Sequence, residues 1–176
     1  PVRLRLFAND DSGADVFDLR ADTRTTAALG HLDMKGVLFN LTASPAGDRV
    51  LAHEPDGAVR VWSIGDGGAS GDGGAPRVLA RLPREQMCGG FLPDGRVAIA
   101  HGSVQIGARV QIYSPAGELE RAIDLGRGAF SCVIDGKRLL VAVDARPNPR
   151  QDHQQLWLVD PDDGAARALD PRMRLL

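Results

Sequence analysis

Residues 30–64 read GHLDMKGVLFNLTASPAGDRVLAHEPDGAVRVWSI. Short apolar runs alternate here with turn chemistry. Ser44-Pro45-Ala46-Gly47 and Asp56-Gly57 are turns, because a tight reversal needs a residue that takes φ > 0 or bonds its own backbone. Between and after them lie Val50-Leu51-Ala52 and Val59-Arg60-Val61-Trp62-Ser63-Ile64, each of strand length. No segment of the chain sustains apolar residues at i, i+3, i+4 and i+7 over three turns. Gly and Pro recur about every eight to twelve residues, the punctuation of an all-β fold.

The same grammar repeats along the chain. A turn followed by an apolar strand occurs at residues 45–51, 93–98 and 135–140. A second apolar strand follows each, at residues 59–64, 110–114 and 156–160, with an earlier copy at 15–19. Phe17, Trp62, Tyr113 and Val159 align across these copies. Their spacing of about 45 to 50 residues is the period of propeller blades. Continuous runs such as Leu139-Leu140-Val141-Ala142-Val143 fit strands covered on both faces. The connections are too short and Gly-rich for the helical crossovers of a parallel sheet. Val61, Ile99, Val141 and Leu158 are the expected core.

Residues 30–64 resemble a WD40 repeat. They carry Gly30-His31 at the opening, the Ser44 to Gly47 turn, Asp56-Gly57, and Val61-Trp62-Ser63 where that family has Trp-Asp. NDDSGADVFDLR at 9–20 resembles the end of another such repeat. DGKRLLVAVD at 135–144 and LWLVDPDDG at 156–164 are similar to TolB-like propeller repeats. The resemblance implies one β-propeller domain over residues 1–176, a segment of about four blades. In the WD40 family a His, a Ser or Thr, an Asp and the Trp form a hydrogen-bonded tetrad. His31, Asp56 and Trp62 match three of its positions, and Ala52 stands where the hydroxyl should be. Residues 2–8 read as a second strand with no first strand before it, and 172–176 resemble the start of a first strand. Two completions stay open: a small ring closed by its own tail, or a larger propeller completed by other chain segments.

The net charge is −2, with Arg and Asp/Glu interspersed. That excludes the broad basic face of a nucleic-acid binder. No stretch approaches the ~20 apolar residues of a membrane span, and no signal peptide is legible at the start. The chain opens on Pro1, which reads as a processed product or an excerpt, and the compartment is left open. Cys88 and Cys132 sit in apolar contexts and read as buried free thiols. GDGGASGDGG at 65–74 reads as a mobile loop whose length folding tolerates.

His53-Glu54, His101 and Asp144 fall at the ends of successive second strands, which in a propeller share one rim. Equivalent points on adjacent blades stand too far apart for ligands within ~2.0 to 2.6 Å of one ion. There is no GxSxG or HExxH motif. Asn9-Asp10-Asp11-Ser12-Gly13 lacks the ligand spacing of a calcium loop and reads as a tight turn. No metal or organic cofactor is expected. The first strands, at 36–43, 88–92 and 129–134, are nearly devoid of ionisable groups, which argues against a catalytic channel. The reading is a non-catalytic protein-interaction scaffold or a structural subunit, with a quinoprotein-like or hydrolytic propeller enzyme as the alternative. Binding is expected through rim loops carrying His31, His53, Arg84, Glu85, His101 and Arg146.

Overall fold

A computed structural model describes residues 4–9, 13–20, 25–33, 40–64, 75–82, 86–103, 107–126, 130–135, 137–144 and 154–169. These residues form strands and turns only. The strands are β1 (Leu4–Asn9), β2 (Gly13–Arg20), β3 (Thr25–Asp33), β4 (Asn40–Ala43), β5 (Arg49–His53), β6 (Ala58–Ser63), β7 (Arg77–Arg81) and β8 (Gln86–Phe91). They continue with β9 (Val97–Ser103), β10 (Gly107–Tyr113), β11 (Leu119–Gly126), β12 (Phe130–Asp135), β13 (Arg138–Asp144), β14 (Gln154–Val159) and β15 (Ala166–Ala168). They assemble into the sheets β1-β2-β3, β4-β5-β6-β7, β8-β9-β10-β11 and β12-β13-β14-β15. Every pairing is antiparallel and joins strands adjacent in sequence. Each sheet is thus a blade, and the first has three described strands, with β1 at its edge. The tail at 172–176 and the loop at 65–74 lie outside the described residues.

The sequence repeat is a register repeat. Leu6 pairs with Phe17, Val50 with Trp62, Val97 with Tyr113, and Leu139 with Val159. An Arg precedes the first member of every pair: Arg5, Arg49, Arg96 and Arg138. Four of the described hairpins close on tight turns of one kind. In Ser44-Pro45-Ala46-Gly47, Glu54-Pro55-Asp56-Gly57, Leu92-Pro93-Asp94-Gly95 and Ser114-Pro115-Ala116-Gly117 the Gly amide donates to the carbonyl of the first residue, at 2.8 to 2.9 Å. Proline sets φ for the second position, and the Gly takes a positive φ of 71° to 87°. The two Ser-Pro-Ala-Gly turns share a further device. The Ser44 and Ser114 hydroxyls accept from the amides of Arg49 (3.0 Å) and Glu118 (3.1 Å).

The chain divides into two compact units, residues 1–84 and 85–176. In the first, Ala14 and Val16 of β2 and Leu32 of β3 pack with Val50, Ala52, Trp62 and Ile64 of the next blade. In the second, Ala98, Ala100, Val110 and Ile112 pack with Leu139, Val141, Val143 and Val159. Each such aliphatic side chain contributes about 1.5 to 3 kcal/mol by leaving water.

Ile99 and Val141 are buried, as the sequence predicts. Val61 and Leu158 are half-buried, which corrects the expectation for them. Both lie on third strands and pair outward with an exposed Arg of the edge strand, Arg77 and Arg167. Third strands are flanked on both sides, as second strands are, but the fourth strand beside them is the exposed sheet edge.

The cysteines are a second correction. Cys88 and Cys132 are not free thiols but a disulfide, with Cα atoms 5.7 Å apart. Their separation of 44 residues is one blade repeat, so they occupy the first strands, β8 and β12, of consecutive blades.

Replacing Ile99 by Ala should cost about 2 to 4 kcal/mol in urea unfolding, through the cavity left behind. Leu158→Ala should cost clearly less. Equal costs would contradict the difference in burial between Ile99 and Leu158.

Candidate functional site

Among the described residues, one group of titratable side chains surrounds the turn between β5 and β6. The turn forms because Gly57 takes φ 83°, and only glycine fits: a Cβ there would meet the Leu82 carbonyl oxygen at 2.3 Å. The Leu82 amide donates to the Gly57 carbonyl at 2.7 Å, so the end of β7 is laced onto the turn. Asp56 closes the turn by accepting from the Ala58 amide at 2.8 Å.

This geometry gathers charge. Glu54 is 2% exposed and ion-pairs with Arg60, which also reaches Asp56 at 3.3 Å. Arg81 approaches Asp56 from β7 at 3.7 Å. His53, also 2% exposed, lies at the end of β5 beside this network. Burial lowers its pKa below the ordinary 6.5, and the attraction of Asp56 opposes that only in part. Burial and the neighbouring Arg81 charge lower the Arg60 pKa. The group therefore combines an imidazole whose charged form burial disfavours with two carboxylates held by two guanidinium groups.

A second network lies at the opposite kind of turn, between the blades of the second unit. Arg96 follows the β8–β9 turn. Its Nε donates to Asp94 at 2.7 Å, its Nη1 to the Pro161 carbonyl at 3.3 Å, and it ion-pairs with Asp162 of the β14–β15 turn. Arg121 of β11 donates to the carbonyls of Asp163 (2.9 Å) and Asp162 (3.1 Å). Burial pushes the Asp94 carboxyl up, but the bonds from the Arg96 amide and guanidinium outweigh it and hold the group below the usual carboxylate range. These arginines tie one blade to the next.

The residues singled out in the sequence are placed as follows. His31 is exposed on β3 and its Nδ1 lies 2.8 Å from Oδ1 of Asp15, its register partner on β2. His31 engages Asp15, Asp56 engages Ala58, Arg60 and Arg81, and Trp62 packs in the apolar cluster. His53 and His101 are buried. Each described candidate lies at the same end of its own blade, the end of the second-to-third connection. Arg84, Glu85 and Arg146 lie outside the described residues, and so does the side chain of Asp144. Among the described residues no group of three or more His, Cys, Asp or Glu could hold a metal. Nor is any helix there long and apolar enough to cross a membrane.

Arg60, Arg81 and Arg96 are the residues that sequence reading passed over. The Arg before each second strand was a usable signal for Arg96. Nothing in the spacing marked Arg60, because its pairing with Glu54 depends on the β5–β6 register.

No protein-family model and no curated protein matches the sequence. Among solved structures the chain is similar to the WD40 domain of Toxoplasma gondii coronin, at 12% identity over 94% of this chain and 42% of that one, TM-score 0.63. It is similar to TolB from Acinetobacter baumannii, at 14% identity over 97% and 41%, TM-score 0.57. It is also similar to Kuenenia stuttgartiensis hydrazine synthase, at 17% identity over 94% and 46%, TM-score 0.60. The chain spans less than half the length of each. What these likenesses share is the fold.

Two measurements test the β5–β6 network. Arg60→Met should cost about 3 to 5 kcal/mol by stranding the buried Glu54 charge, and adding Glu54→Gln should recover most of it. A cost that persists in the double variant would show that Arg60 acts by packing alone. His53 sets a pH dependence. Its folded pKa is depressed, so near pH 6.5 and below the unfolded chain binds the proton more readily. Stability should fall as pH drops through 6.5 and level off below the folded pKa, and His53→Gln should flatten this part of the profile.

Proposed function

We propose that this β-propeller chain is a non-catalytic protein-interaction scaffold, or a structural subunit of a larger assembly. The observation that carries the reading is the character of the first strands. β4 (NLTA), β8 (QMCGGF) and β12 (FSCVID) carry one ionisable side chain, Asp135, beside the disulfide-bonded cysteines. In a propeller these strands border the central channel, where an enzyme would need converging acids, bases or ligands.

The charged networks of the described residues lie instead at turns and on third and fourth strands. Arg greatly outnumbers Lys among the cations, and its planar guanidinium suits bidentate contacts to carboxylates. The partner is another protein, engaged through the exposed strand residue His31 and through Arg84, Glu85 and Arg146, with the buried His53 and His101 supporting the strand ends. Neither nucleic acid nor a membrane span enters this reading, and no cofactor is needed.

One observation favours the enzyme alternative. His53 sits buried beside Glu54 and Asp56 with a lowered pKa, and perturbed titratable groups cluster at active sites. Both guanidinium partners of those carboxylates argue for a structural network. The hydrazine synthase likeness, at 17% identity, adds the fold alone.

The test is affinity capture from the native source, comparing the natural chain with charge reversals at Arg84, Glu85 and Arg146, alongside elemental analysis. One partner protein recovered by the natural chain and lost by the reversals is expected. Stoichiometric metal would overturn the scaffold reading. So would a turnover that disappears in a folded His53→Gln, His101→Gln variant.

A further inference from the structure

We propose that Cys88–Cys132 is a redox-sensitive lock between consecutive blades, closed by disulfide exchange outside the reducing cytosol and opened by reduction. The inference does not depend on the scaffold reading.

The geometry begins with strand position. Cys88 pairs with Ala100 inside its own sheet, and Cys132 with Val141 inside the next. β8 and β12 belong to different sheets and share no ladder hydrogen bonds. They nonetheless run close together, and the cysteine Cα atoms are 5.7 Å apart, within the span a disulfide bridges. Both side chains are half-buried against the apolar cluster that joins the blades.

Position relative to the other ties gives the bond its role. Arg96 and Arg121 fasten the same two blades at the turn end and the outer strand. The disulfide fastens them at the first strands. When it opens, the outer ties remain, and the inner strands can part about that remaining attachment. The apolar cluster still favours contact, so the reduced blades are loosened and not separated.

The chemistry needs an oxidant, which is a small-molecule or protein disulfide, RS–SR. One cysteine thiolate attacks RS–SR, forms a mixed disulfide and expels RS⁻. The second cysteine thiolate attacks the protein sulfur of that mixed disulfide and expels the second RS⁻. The two cysteine protons end on the two released thiolates, so two cysteines are oxidised and RS–SR is reduced to two RSH. Excess dithiol reverses the exchange. Such bonds persist in secreted, periplasmic and surface proteins and are rare where glutathione and thioredoxin hold thiols reduced.

The test uses the whole chain from its native source, acid-quenched and alkylated before and after reduction. Alkylation of Cys88 and Cys132 only after reduction is expected. Both thiols modified without reduction would overturn the proposal. Thermal unfolding then reads the lock. Closing a loop of this length predicts a Tm lower by roughly 10 °C in reductant. Cys88→Ala, Cys132→Ala should show that lower Tm with no further response to reductant. Hydrogen exchange should rise in β8 and β12 on reduction and stay unchanged in β1–β7. An unchanged Tm and unchanged exchange in the reduced natural chain would overturn the lock even if the double variant failed to fold. Partner capture by the loop residues is a separate readout, so this proposal and the scaffold reading fail independently.

Discussion

A sheet of four short antiparallel strands has two faces and can shield neither of them alone. Its second strand is the demanding one, because strands flank it on both sides and its side chains point to both faces. Val50 and Ala52 of β5, Ala98 and Ala100 of β9, and Val141 and Val143 of β13 are buried only because another sheet lies against them. This need for face-to-face cover dictates the rest: apolar runs in the middle of each blade, small or aliphatic side chains on the packed face, and charge moved to turns and edges.

Charge at those turns is paired within and between blades. Arg60 neutralises a glutamate that the β5–β6 turn buries, while Arg96 and Arg121 reach from one blade to carbonyls and carboxylates of the next. Exposed members of such networks contribute little each, whereas Glu54, cut off from water, is costly without its guanidinium. The same turns place His53 where burial disfavours its protonated form. Stability and any sensitivity to acid in this region therefore come from a single hairpin.

Much of this was legible in the sequence because turn chemistry and strand period are local. The Ser44–Gly47 and Leu92–Gly95 turns, the strands beside them, and the alignment of Phe17, Trp62, Tyr113 and Val159 all needed only neighbours in the chain. The misses were relations between strands or blades. Val61 looks as apolar as Ile99, and only its place next to Arg77 on an edge strand exposes it. Cys88 and Cys132 looked like separate apolar thiols until the blade period, applied to them, put them side by side. The candidate site was legible as a set of strand ends and turns, but its arginine partners depend on registers that no single-residue pattern states.

Every described strand pairing links sequence neighbours, and no ladder is threaded through another sheet. A blade is therefore a self-contained paragraph of the gene, begun and ended in connections that carry no ladder bonds. Duplication or deletion of one such stretch leaves the hydrogen bonding of every other blade intact and asks only that a new flat face meet an old one. A lineage built this way can change its number of blades faster than it can change the blade itself. Divergence between propellers then accumulates in ring size and loop content, while the hairpins persist at sequence identities too low to reveal common descent.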